Sequence, residues 1–297
     1  PTQREARRAS RGSGRAAVAG EPAVRGENLY ARGASDDKGQ LLAVVAAAAA
    51  YLRTAGRLPL NLKVMLEGEE EISSPSMPAF LRTHRERLAA DAVVICDGSL
   101  LAPDLPLISH GVRGMAYLEV EVRGPATDLH SGTFGGAVDN PFNVLVRLLA
   151  RLQDPETGRV TVPGFYDRVR PIDEEERLLL AQVPMGEEQA RQLAGVCALG
   201  GGETAFSPLE RISLRPTLDI HGMPGGFTGE GKKTVIPARA LAKVSMRLVP
   251  DQDPVEIAGL FRHFLESLAP CTVTLQVRTL GTARPASCDY RHPAVRL

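Results

Sequence analysis

Three short acidic stretches fall at the edges of predicted elements, and they limit what this chain can be. Asp36-Asp37 precedes an Ala/Leu/Val run that begins after Gly39, ends near Arg53 and favours a helix throughout. Glu69-Glu70-Glu71 follows Leu60–Leu66, whose apolar residues alternate with period two and predict a strand. Asp97 directly follows Ala92–Cys96, a continuous apolar run suited to a central strand buried on both faces. A further helix is expected over Phe80–Leu88. Alternating helices and strands of this kind predict an α/β layer with a mainly parallel sheet. Ligands bind such sheets beyond the carboxyl ends of the strands, where carboxylates from separate segments would converge. Carboxylates crowded away from water must protonate, separate or surround cations. Taken singly, each stretch reads as a solvated loop or a turn with a helix cap. Together, at three element boundaries, they point to metal.

After His110 the pattern changes. Ala116–Arg123 alternates strictly, with Leu118, Val120 and Val122 on one face and Glu119, Glu121 and Arg123 on the other. This predicts a half-exposed antiparallel strand. A helix is expected over Asn140–Leu152, a strand over Ala242–Leu248 and another over Cys271–Val277. Asp253-Pro254 opens a helix whose stripe is Ile257, Leu260, Phe261, Phe264 and Leu268, with Glu256 placed for a capping box. Residues 153–213 are weakly patterned and predict mixed helix and loop. The domain reading is residues 1–21 as a disordered or non-native start, 22–110 as part of a catalytic domain, 111–284 as an inserted α+β domain, and 285–297 as the beginning of a return to the first.

Lys plus Arg and Asp plus Glu both total 35, so nothing favours nucleic acid or an anionic membrane surface. The longest apolar stretch, Leu41–Leu52, is about half of what a bilayer requires. Cys96, Cys197, Cys271 and Cys288 are widely spaced, which excludes a disulfide framework or a zinc finger. They are expected as buried small residues in a reducing, cytoplasmic protein.

Five ordered motifs carry a family resemblance. Leu29–Gly39 (LYARGASDDKG), Glu67–Ser74 (EGEEEISS), Asp128–Gly132 (DLHSG), Lys233–Pro237 (KTVIP) and Ser245–Pro250 (SMRLVP) resemble segments of the M20 metallopeptidases: carnosinase-like dipeptidases, aminoacylases and glutamate carboxypeptidase-like enzymes. The last three look nearest to the dipeptidase branch. The resemblance implies a catalytic domain with an inserted ferredoxin-like lid and dimerisation domain. It implies two divalent ions, Zn²⁺ first, with Mn²⁺ or Co²⁺ as alternatives. It implies Asp36 as the bridging ligand, with a cis bond to Asp37, Glu71 and Asp97 as further metal ligands, and Glu70 as general base. His130 would act in the neighbouring subunit's site as an oxyanion donor. Arg247 would bind the substrate's terminal carboxylate, and Thr234 would add a substrate hydrogen bond. Lys38 receives no catalytic step. His221 is expected to be structural, and His84, His110, His263 and His292 to have surface or packing roles.

The sequence also departs from the family pattern. No histidine precedes His84, so the family's H-x-D is absent, and so is a late metal-ligand histidine. Ala31 and Ser73 stand where the family has glycine. The expectation is an incomplete gene product with weak metal binding and little turnover. The functional reading is metal-dependent hydrolysis of dipeptides or short peptides with a free carboxylate. Deacylation of N-acyl amino acids and a non-catalytic dimerising role are the alternatives.

Overall fold

The structure, a computed structural model, describes residues 22–98, 100 and 107–295. The first 21 residues, expected as a disordered or non-native start, lie outside the described residues apart from what the sequence says of them. The chain divides into two units, Pro1–Ser109 with Arg296–Leu297, and His110–Val295.

The first unit opens with a hairpin of β1 (Ala23–Arg25) and β2 (Asn28–Tyr30). Then come helix α1 (Lys38–Ala55), a 3-10 turn over Glu70–Ile72, and two short helices, α2 (Met77–Thr83) and α3 (Arg85–Leu88). The alanine run accounts for α1, which stops at Gly56 in the left-handed region at φ 69°. The helix expected over Phe80–Leu88 starts earlier and breaks at His84, whose ring lies 4.6 Å from that of Phe80.

The parallel sheet expected here does not form among the described residues. Leu60–Leu66 and Ala92–Cys96 carry no strand ladder. Val93, Val94 and Ile95 are 81%, 82% and 84% exposed, where a central strand would bury them. The physical reason is that no neighbouring strand pairs with either segment. Period and apolarity suit a strand, but only a ladder makes one. No described residue from 22 to 109 is buried.

The second unit holds the core. Its strands are β3 (Gly111–Val112), β4 (Gly114–Arg123), β5 (Leu129–His130), β6 (Thr217–Gly222), β7 (Val235–Ile236), β8 (Arg239–Leu248), β9 (Thr274–Ala283) and β10 (Ala286–Ser287). Its helices are α4 (Ser131–Phe134), α5 (Pro141–Leu149), α6 (Glu174–Ala181), α7 (Glu187–Ala194), α8 (Pro208–Ser213) and α9 (Pro254–Leu268). The main sheet runs β6-β8-β4-β9, antiparallel throughout. With α5 after β4 and α9 after β8, this is the split βαβ order of a ferredoxin-like fold. Both helices lie on one face, over Ala116, Leu118, Val120, Val122, Ala242, Val244 and Met246.

Three local expectations change. First, β4 is a central strand rather than a half-exposed one. Glu119 and Glu121 are 7% and 2% exposed, because long cationic side chains close over them. Lys243 and Arg278 bond Glu119 from the two flanking strands, and Arg123 and Arg239 pair with Glu121. Second, Asp253 caps α9 by accepting from the Val255 and Glu256 amides, but Glu256 pairs with Arg168 instead of closing a capping box. Third, all four cysteines are exposed and unpaired. They sit in segments outside the packed layers, so apolar character alone does not bury them. No described helix is long and apolar enough to cross a membrane.

Candidate active site

In the first unit four acidic side chains from three segments act on one another. Asp97 hydrogen-bonds the Asp36 carboxyl, and its pKa is raised by lost hydration and then by Asp36, Asp37 and Glu71. Glu70, in the 3-10 turn, is raised by lost hydration and then by Asp97, Glu71, Asp36 and Glu67. Both residues remain largely exposed, and the neighbouring carboxylates add to the effect of lost hydration. Glu69 faces elsewhere and accepts from the backbone amide and the hydroxyl of Ser76. The Asp36-Asp37 peptide bond is cis. Lys38 reaches back to the Arg32 carbonyl at 3.3 Å rather than to a carboxylate.

The donor chemistry suits a hard divalent cation. Carboxylates gathered near one another are stabilised when a cation lies among them. Among the described residues, however, no group of three or more His, Cys, Asp or Glu side chains closes into one coordination sphere.

In the second unit β5 pairs with β7, setting His130 opposite Val235 and Leu129 opposite Ile236. Two motifs more than a hundred residues apart in sequence are thereby joined. Asp128 accepts from the Ala238 amide at 2.9 Å, and the Ser131 amide donates to the Thr234 carbonyl at 3.0 Å. His130 Nδ1 accepts from the Gly132 amide at 3.1 Å. That bond assigns the proton of a neutral ring to Nε2, which lies 3.2 Å from Thr234 Oγ1. A Cβ on Gly132 would come within 2.7 Å of the imidazole, so this ring pose requires glycine there. His130 and Thr234 are both exposed.

Arg247 projects from β8 on the sheet face away from the helices. It stands opposite Met115 on one side and Thr217 on the other, and it is exposed. Nearby, His221 stacks on Tyr117 at 5.3 Å and meets Ser245 Oγ at 2.7 Å, the structural role expected of it. Arg113, at the junction of β3 and β4, was not singled out by any sequence pattern. Its pKa is lowered by burial and by Arg247, with Asp219 acting in the opposite sense.

Residues 110–273 match the peptidase dimerisation domain. The Beta-Ala-His dipeptidase of Rattus norvegicus is 36% identical over 242 residues, covering 81% of this chain and 49% of that protein. The Cys-Gly metallodipeptidase DUG1 of Candida albicans is 33% identical, covering 80% of this chain and 49% of that protein. Among solved structures, the M20 family metallo-carboxypeptidase Sso-CP2 from Sulfolobus solfataricus superposes with a TM-score of 0.79 at 33% identity, covering 92% of this chain and 61% of that one. Human carnosine dipeptidase 1 gives 0.72 at 32% identity, covering 94% and 59%. The matched dimerisation domain, together with relatives and solved structures at 32–36% identity, defines the class as a peptidase. The chain belongs to the M20 peptidase family. It spans about half the length of the curated relatives it matches.

Proposed function

We propose that this chain carries part of the machinery for metal-dependent hydrolysis of dipeptides or short peptides with a free C-terminal carboxylate. The observation that carries the reading is that Glu70 and Asp97, from separate segments, both feel the negative charges of Asp36 and Glu71. The names of the dipeptidase relatives support the substrate class.

In this reading Asp36, Glu71 and Asp97 hold two divalent ions, with Zn²⁺ preferred over Mn²⁺ or Co²⁺. When bound, the ions supply Lewis-acid polarisation of the scissile carbonyl and a lowered pKa for water. Glu70 takes the proton from the attacking water and passes it to the leaving amine. Arg247 receives the substrate's terminal carboxylate in its planar donor fork. His130, with Nε2–H as donor and Thr234 beside it, stabilises the oxyanion in the site of a second subunit. Residues 22–110 serve as part of the catalytic domain, completed by a mainly parallel sheet. Residues 111–284 serve as the lid and homodimerisation domain, and 285–297 begin the return to the catalytic layer. The setting is cytoplasmic, consistent with four unpaired cysteines, and neither nucleic acid nor membrane is a partner.

The test supplies the chain with excess Mn²⁺ or Zn²⁺ and offers β-Ala-His, Cys-Gly and an N-acetyl amino acid. Slow turnover of the dipeptides over the acetyl substrate is expected, abolished by Glu70→Gln with unchanged circular dichroism. Asp36→Asn should lose metal by calorimetry whatever the turnover. Equal turnover in the Glu70 variant removes it as the base, and unchanged metal binding in the Asp36 variant removes the metal centre.

A further inference from the structure

Cross-strand partners share a face of a sheet, so the register of β4, β6 and β8 puts Met115, Tyr117, Thr217, Asp219, Ser245 and Arg247 together on the face away from the helices. Two arginines, Arg113 and Arg247, lie near enough there for the charge of one to act on the other. Arg247 is exposed and makes no hydrogen bond or ion pair among the described residues. Arg113 is half-buried, and its Nη1 is buried with no hydrogen-bond partner. The charges acting on Arg113 are Arg247, of like sign, and Asp219, of opposite sign. Asp219 is already engaged by the Thr217 hydroxyl at 3.2 Å. Asp219 opposes the effect of Arg247 on Arg113 without bonding its guanidinium, and a desolvated donor is left unspent. Leaving a buried charged donor unmade is costly, and folds retain such groups where a ligand completes them.

We infer that Arg113 and Arg247 form a two-guanidinium seat for the terminal carboxylate of the peptide substrate, Arg247 from β8 and Arg113 from the junction of β3 and β4. The inference rests on the reading of Arg247 as the carboxylate residue and adds a second, specificity-determining arginine. Arg113 selects a free carboxylate over its amide, because an amide NH₂ would point a donor at a donor.

The experiment is a ¹⁵N-resolved NMR titration of arginine Nε–H signals in the whole chain. Glycylglycine and glycylglycinamide are the probes, with chloride at matched ionic strength as control. Arg113→Lys and Arg247→Lys assign the signals. Glycylglycine should move both signals and the amide neither. Arg113→Lys should weaken glycylglycine binding by at least about tenfold, since an ammonium cannot replace the planar fork. Arg113→Met should keep or raise the melting temperature, because it removes a poorly compensated charge. Movement of Arg247 alone, with full affinity in Arg113→Lys, overturns the role of Arg113 and leaves that of Arg247 standing. Silence of both signals overturns both, as does an equal response to chloride. A large loss of stability in Arg113→Met would make Arg113 a structural residue and also overturn the inference.

Discussion

Glu119 lies at the middle of the central strand with Lys243 on one side and Arg278 on the other. The hydrogen bond from Lys243 does most to hold its carboxyl below the ordinary carboxylate range, against the opposing effect of burial, with Arg278 adding to the depression. Because the folded-state pKa lies below the unfolded one, the stabilisation is complete above the unfolded value of about 4.3 and is lost as pH falls through the folded value. Glu119→Gln keeps the shape and removes the charge, leaving two cations sharing a neutral acceptor. The expected cost is about 1–3 kcal/mol at neutral pH. Urea unfolding of both proteins from pH 7 to pH 3 should show the gap closing below pH ~4. A gap that stays constant across that range would show that charge is not what matters at this position.

At the scale of elements, legibility depended on whether a segment carries its own reason to fold. The alanine run of α1, the alternation of β4 and β8, and the Asp253-Pro254 start of α9 are local signals, and each produced the expected element. Leu60–Leu66 and Ala92–Cys96 are strands only by virtue of partners, and pairing is not written in either segment. The burial of Glu119 and Glu121 was hidden for a related reason: alternation gives the face, whereas the neighbouring strands decide whether that face is covered. The acidic stretches drew notice at predicted element ends, two of them strands that do not form among the described residues, while Arg113 carried no pattern, because its neighbour Arg247 lies more than a hundred residues away in sequence. Residues 153–213 looked weakly patterned because ion pairs order much of that stretch. Glu203, 2% exposed, bonds Arg215 through both oxygens at 2.8 and 3.0 Å and Arg159 at 2.9 Å, tying a loop to the start of β6. A capping box of Ser207 with Glu210 starts α8 beside it, a local signal that was present but is short. Glu203→Gln leaves Arg215 buried beside a neutral group and should cost about 3–5 kcal/mol, read as a fall in the urea midpoint. A midpoint within error of the parent would mean that the segment is held by its apolar contacts instead.

Across the whole molecule, burial is divided unequally. Among the described residues, every buried one lies in the second unit and none falls between 22 and 109. Apolar burial is the main favourable contribution to folding, so the stability of the first unit must come from elsewhere. An 18-residue helix that buries no side chain is marginal on its own in water. Amide hydrogen exchange should therefore be fast over α1 and over 60–98, and slow in β4, β8 and the buried face of α9. A cation held by the carboxylates would change that contrast in one direction only. A ligand that binds the assembled site and not the open chain stabilises by about 2.7 kcal/mol at one hundred times its dissociation constant. The donor set named here is carboxylate without imidazole, so millimolar Mn²⁺ rather than trace metal should be needed to reach that regime. Exchange should then slow at 36–41, 69–73 and 96–98 while the core of the second unit stays as it was, and Asp36→Asn should remove the response. If saturating Mn²⁺ leaves those segments exchanging at the metal-free rate, the carboxylates do not gather around a cation, and their mutual repulsion is only that of an acidic surface.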